Sequence, residues 1–154
     1  MDVNHINPAL SAIVNVLTTM ASITPTIGKP SIKKDDISLG VVTGMIDLVG
    51  KDANGSLAIS FSKPVALELA HNMLRLEIDA IDEMVEDLVG EMANMVAGGA
   101  KAIYNEQGTD FELTLPKVLS GENHQVKHSF IGTTILLPFT TNAGEFYVEA
   151  CFGK

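Results

Sequence analysis

Glu91 and Asn94 stand three residues apart in "LVGEMANMVAGGAK", Leu88 to Lys101, inside a long run with helical periodicity. Residues at that spacing are neighbours on a helix surface. A carboxamide donates and accepts at once, so it can hold a water molecule with a lone pair aimed at an electrophile. The carboxylate beside it can anchor a cation on another molecule. Neither residue is a nucleophile served by a base and a third orienting group, so an acyl-enzyme route on this helix is not expected. The pair suits positioning a water on something a partner brings. Gly98 and Gly99 follow, and because glycine in a helix interior costs roughly 1 kcal/mol relative to alanine, each calls for a structural reason.

At 100° per residue, Val85, Leu88, Met92, Met95, Val96, Gly99 and Ile103 gather on one side, the expected core face. Gly99 is then predicted to let the helix backbone pack hard against a neighbour. Asp87, Glu91, Asn94, Gly98 and Lys101 fall within about 80° of one another on a different face. There Gly98 leaves room for whatever approaches Glu91 and Asn94.

The elements that must position this face follow from caps and periodicity. The long helix is predicted from Ala80 to about Glu106, capped by Asp79 and ended by Gly108. A first helix covers 8–23, with Asn7 as cap, Pro8 in the first turn, and Leu10, Ile13, Leu17 and Met20 at helical spacing. "TPTIGKPSIKKDD" reads as a loop. A strand from Ile37 to Val49 and the alternating "SLAISFS" form a hairpin turning at Asn54-Gly55, and Ser62 caps a helix from Pro64 to about Leu76. Beyond the long helix, "DFELTLPKVLSG" alternates Phe111, Leu113 and Leu115. "VKHSFIGTTILLPFTT" and "EFYVEACF" are strand regions separated by Asn142-Ala143-Gly144.

The two halves read alike: helix, strands, helix, strands, with "GSLAISF" echoed by "GEFYVEACF", as a duplicated unit would give. The expected class is α+β, an antiparallel sheet covered by helices, with a pseudo-twofold internal duplication in a single domain over 1–154. When Asn15 is set against Asn94, the place of Glu91 is taken by Ala12. The first helix keeps the asparagine and lacks the carboxylate.

Ten basic residues against 19 acidic ones give a net charge of -9, the wrong sign for neutralising phosphates along a nucleic acid. Hydrophobic residues make up 46% and the mean hydropathy is +0.25, ample for a core. Cys151 is the one cysteine, so there is no internal disulfide or thiolate metal cluster, and a buried reduced thiol is expected. "MDVNHINPAL" lacks the pattern of a secretion signal, and no apolar run approaches the roughly 18 residues of a membrane span. The expectation is a cytoplasmic protein with no membrane insertion.

His124 and His128, four apart in "HQVKH", would share a face of a strand. Without clustered carboxylates or thiols nearby they are expected to be exposed strand histidines, not a metal pair. His71 and Glu68 are expected at the surface. The seven acidic residues from Glu77 to Glu91 suit a solvated helix and its N-terminal turns, where negative charge is favourable. The methionines are expected to be core filler.

"GEMANMVAGGAK" resembles the signature of the CheC-type chemotaxis phosphatases, and the chain as a whole is similar to the CheX branch of the CheC, CheX and FliY family. The likeness runs through "GKPS", "GSLAISFS", "IDAIDEMVEDLVGEMANMVAG", "PKVLSG" and the closing hairpin, in that order. One Glu-x-x-Asn helix also resembles CheX, since CheC members usually carry the pair in both halves. The resemblance implies a phosphatase acting on the aspartyl phosphate of a phosphorylated CheY-type response regulator, in chemotaxis or a related phosphorelay. Glu91 would pair with the regulator's active-site lysine and Asn94 would orient the attacking water, with Asp87, Gly98 and Lys101 contacting the partner. Mg²⁺ and the phosphorylated aspartate belong to the regulator, and the chain needs no cofactor of its own.

The resemblance further implies a homodimer joined through sheet strands. "GTTILLPFTT", Gly132 to Thr141, has apolar residues on both faces, as a dimer strand or a strand buried on both sides within one subunit would. Two other functions are weighed against this one, the second of them without positive evidence in the sequence. One is a non-catalytic regulator-binding or flagellar-switch-like scaffold, which has no need of the intact Glu91 and Asn94. The other is a sensor binding a small ligand between the halves, which a co-purified ligand would reveal.

Overall fold

Pro8 sits in the first turn of helix α1 (Asn7–Met20), where its missing N–H is no loss. The computed structural model describes residues 6–153; residues 1–5, on which the reading of the chain's start partly rests, lie outside them. Asn7 does not cap α1. It is the first helical residue, and Ile6 holds the cap position without a side-chain hydrogen bond. After α1 come two short strands, β1 (Thr26–Ile27) and β2 (Ser31–Lys33), then β3 (Val42–Gly50) and β4 (Asn54–Phe61).

Strand β3 starts later than the apolar pattern predicts. Ile37 makes only an isolated bridge to Gln125. The hairpin turns at 51–53, and not at Asn54-Gly55, which are paired with Val49 and Leu48 in the ladder. A Cβ on Gly55 would stand 2.5 Å from the ring of Phe152. That glycine therefore serves a close approach across strands, which local turn chemistry does not signal. The second hairpin turns where expected, with Thr141 and Gly144 exchanging backbone hydrogen bonds and Gly144 at φ +150°.

Helix α2 (Lys63–Leu74) follows Ser62, whose side chain makes no cap bond. Helix α3 (Glu83–Glu106) is capped by Asp82, whose side chain accepts from the Val85 N–H at 3.0 Å. The cap lies three residues beyond Asp79. The second half continues with β5 (Phe111–Leu113), β6 (Lys117–Ser120), β7 (Thr134–Thr140) and β8 (Glu145–Gly153). Leu115 does not extend the alternation of Phe111 and Leu113. It lies between strands and is 90% exposed.

All eight strands form one antiparallel sheet in the order β1-β7-β8-β4-β3-β5, with β2 also paired to β7 and β6 to β3. The internal duplication is visible in this order. Each half supplies a helix, two short strands and a hairpin, and the hairpins meet at the centre with Ile59 opposite Val148. The short strands are exchanged: β1 and β2 border β7 of the second half, while β5 and β6 border β3 of the first. Strand β7 thus has both edges filled within the chain, with Leu137 and Phe139 buried and Leu136 and Pro138 half-buried.

Alternation sends Leu57, Ile59, Phe61, Phe146, Val148 and Ala150 to the face covered by the three helices, where they form one continuous core. The rings of Phe139 and Phe146 stack there at 4.8 Å. On the other face Met45 and Ala58 pack with Val126 of the segment after β6. That segment brings in both histidines, which are not exposed strand residues. His124 Nε2 lies 2.6 Å from Thr43 Oγ1. His128 Nδ1 lies 2.8 Å from Ser56 Oγ, and its Nε2 lies 3.0 Å from Glu149.

Glu149 is 1% exposed and also accepts from Lys33 Nζ at 2.7 Å. Burying a carboxylate is tolerable only with such partners. Cys151 is a buried free thiol, as expected. His71 is at the surface, 3.1 Å from Glu77. Among the described residues no helix is long and apolar enough to cross a membrane.

Candidate functional site

The inward face of α3 is rotated from the one that hydrophobicity predicts. Val85, Leu88, Met92 and Val96 are buried as expected, but so are Val89, Gly90, Ala93, Ala97, Ala100 and Tyr104. Met95 and Ile103 are only half-buried, and Gly99 is exposed. The helix rests on the sheet through small residues, which a hydrophobicity pattern weights too lightly. Its far end is held by Tyr104, whose ring meets Phe111 edge-on at 5.0 Å, and burial pushes the Tyr104 phenol up.

This rotation places Asp87, Glu91, Asn94 and Gly98 diametrically opposite the buried side. Asp87, Glu91 and Asn94 are exposed, while Gly98 and Lys101 are half-buried at the margin. Among the described residues neither Glu91 nor Asn94 has a side-chain hydrogen bond or an ion pair. A carboxylate and a carboxamide stand side by side with nothing in the chain to engage them. They can bind an incoming cation and a water without first breaking an internal contact.

The two glycines differ as the spacing predicts. A Cβ on Gly98 would meet nothing within 4 Å, whereas one on Gly99 would stand 3.2 Å from the Ala12 Cβ of α1. Gly98 keeps the outward face open, and Gly99 lets α1 and α3 cross closely despite its exposure to solvent. The acidic stretch leading into the site is solvated at Asp82, Glu83 and Asp87, while Glu86 accepts from Ser120 Oγ at 3.4 Å.

Sequence reasoning passed over two residues beneath the candidate site, Gly44 on β3 and Gly90 on α3, and the buried Lys33 and Glu149 on the opposite face of the sheet, where it took His128 to be exposed. Gly90 had a signal: a helix-interior glycine immediately before Glu91. Gly44 had a weaker one, a glycine amid the β-branched run of a strand. Among the described residues no group of three or more His, Cys, Asp or Glu side chains could hold a metal ion.

The chain is similar to known proteins over most of its length. The family model described as chemotaxis phosphatase CheX matches residues 42–140, which include Glu91 and Asn94. The CheY-P phosphatase CheX of Thermotoga maritima is 31% identical over 147 residues, covering 94% of this chain and 92% of that protein. A CheC-like superfamily protein from Shewanella sp. PV-4 has a crystal structure that superposes with a TM-score of 0.93 at 44% identity, covering all of both chains. At 24% identity and a TM-score of 0.81, covering 99% of this chain and 100% of the other, the fold is shared with the Borrelia burgdorferi protein crystallised as a CheX-CheY-BeF3-Mg complex.

Proposed function

This chain belongs to the CheX family of chemotaxis phosphatases, and from that premise we propose that it hydrolyses the aspartyl phosphate of a CheY-type response regulator through the outward face of α3. The observation that carries this reading is the free, adjacent pair Glu91 and Asn94 on the side of the helix opposite the core. Asn94 enters the regulator's pocket and holds a water near the line of attack on phosphorus. The water oxygen bonds to phosphorus, the bond to the aspartate oxygen breaks, and aspartate, inorganic phosphate and a proton are released. Glu91 pairs with the regulator's active-site lysine, and Asp87, Gly98 and Lys101 border the contact.

Mg²⁺ is the regulator's own and neutralises the phosphoryl oxygens there. In phosphoryl transfer the protein contributes mainly position and charge, and holding a reactant in place can supply several kcal/mol. A helix face without a nucleophile is therefore sufficient. The whole chain, 1–154, acts as one such domain in the cytoplasm.

The chain also acts as a homodimer, a reading supported by apolar side chains left in solvent, Leu115 at 90% and Ile131 at 94% exposed. Because both edges of β7 are filled, a sheet running across two chains would pass through the short border strands instead. A solution mass of one chain, by light scattering, would refute the dimer.

The test of the phosphatase is decay of label from a phosphorylated CheY-type regulator, with wild type and Asn94→Ala in parallel. Acceleration by wild type alone is expected. Binding of the regulator by wild type without any acceleration would overturn the phosphatase in favour of the scaffold.

A further inference from the structure

The turn 89–93 of α3 carries Glu91 on its outer side and is followed directly by Asn94. Its underside lies on β3 at Gly44. A Cβ on Gly44 would stand 2.8 Å from the Val89 carbonyl oxygen, 3.0 Å from the Ala93 Cβ and 3.2 Å from Val89 Cγ1. No rotamer change relieves a clash with a backbone oxygen, so the helix or the strand would have to move. On the flank of the same turn, a Cβ on Gly90 would stand 3.1 Å from a methyl of Val118 on β6.

Two glycines from different elements thus converge on the one turn that bears the candidate site. The glycines permit a close approach of helix to sheet at that turn, and they do so at a cost. Glycine weakens a strand interior, and an alanine at 90 would favour the helix by roughly 1 kcal/mol. Resting on the proposed phosphatase reading, we infer that Gly44 is a positioning residue for the reaction: it sets the height of the 89–93 turn above the sheet and so the reach of Glu91 and Asn94 into the regulator.

Relieving a 2.8 Å approach to ordinary contact at about 3.4 Å lifts the turn by about 0.6 Å and leaves the outward face chemically intact. A partner can still dock on it, but the water held by Asn94 leaves the line of attack, and catalytic geometry tolerates only about 0.5 Å. The expected signature is a split between turnover and binding. A role in stability alone would not produce one at temperatures where the variant is folded.

The experiment measures kcat and KM on a phosphorylated CheY-type regulator for wild type, Gly44→Ala and Gly44→Ser, with circular dichroism establishing that each is folded at the assay temperature. The expected result is a fall in kcat of about tenfold for alanine and more for serine, with KM within about twofold of wild type. Ala93→Ser crowds the same contact from the helix side and is expected to show the same split. It decides the question if the Gly44 variants do not fold. Wild-type kcat in a folded variant, or parallel loss of kcat and KM, would overturn the inference while leaving the phosphatase reading intact. Failure of wild type itself to accelerate dephosphorylation would overturn both.

Discussion

Three positions before Asn15, helix α1 has Ala12, which is 4% exposed and lies against Gly99 of α3. Three positions before Asn94, helix α3 has Glu91, which is exposed. The two helices occupy corresponding places in the duplicated halves, and both asparagines face solvent. What differs is the helix crossing. Where α1 meets α3, the position matching Glu91 lies inside the contact, and a carboxylate there would be desolvated and overpacked. The duplicated fold therefore offers two asparagines and room for one outward Glu-x-x-Asn pair. How many such pairs face outward is decided by packing between the helices, not by the chemistry either helix could carry alone.

The sharpest break of this comparison is Asn94→Ala against Asn15→Ala. On the proposed role of Asn94 in holding the water, its loss is expected to lower the rate of regulator dephosphorylation by about 100-fold or more, with regulator binding largely retained. Asn15→Ala, a surface change away from the site, is expected to stay within about twofold. Equal effects in the phosphate-decay assay would show that both helices act. Glu91→Ala is expected to lose productive binding as well, read as weakened affinity for the regulator.

The halves also differ on the histidine-bearing face of the sheet. Beneath the first hairpin the buried group is Ser60 on β4, which accepts from the Gly40 N–H at 3.0 Å and from the Thr43 hydroxyl at 2.9 Å. Beneath the second it is the charged Glu149 on β8. Glu149→Gln leaves the Lys33 side chain, 6% exposed, without its counter-charge, a loss of about 3–5 kcal/mol. Ser60→Ala breaks neutral hydrogen bonds and is expected to cost about 1–3 kcal/mol. Urea unfolding of the two variants measures the difference, and a cost for Ser60→Ala as large as that for Glu149→Gln would contradict it.

Ala12→Glu attempts to restore the missing carboxylate. It is expected to destabilise the protein by about 3 kcal/mol, lowering Tm by roughly 2–4 °C per kcal/mol, with no gain in phosphatase rate. Unchanged Tm with a raised rate would mean that α1 can host a second site. The smallest effect concerns the crossing itself. Gly99→Ala gains helix propensity but meets Ala12, so it is expected to change stability by less than about 0.5 kcal/mol in wild type and to stabilise by about 1 kcal/mol in an Ala12→Gly background. Thermal melts of the double-mutant cycle report this coupling.

Much of the site was legible along the chain because it depends on one helix and its 100° step. Glu91, Asn94, Asp87 and Gly98 share an outward face in any regular helix through 83–106, and Gly98 and Gly99 were assigned opposite duties from phase alone. The resemblance carried by "GEMANMVAGGAK" pointed to the same face. Boundaries were less legible, since Asp79 and Asp82 are both competent caps and the chain's path selects between them. Asn54-Gly55 has the composition of a turn but is held in the ladder, because Phe152, far along the chain, needs the space over Gly55. The core face of α3 was misphased because alanine counts for little in a hydrophobic pattern, yet Ala93, Ala97 and Ala100 lie where the helix rests on the sheet.

By itself the sequence determined what short-range physics can specify: the helices, the hairpins, the duplicated order, and the pair of side chains sharing one outward turn. Only the tertiary structure decided which small residues serve as contacts and which charges are buried. Gly44 matters because the turn below Glu91 settles on it, Ala12 because α3 crosses there, and Glu149 because Lys33 reaches it from 116 residues away. Each depends on a pairing between distant segments. Spacing along the chain carries no record of such pairings, and the folded core alone brings them within van der Waals distance.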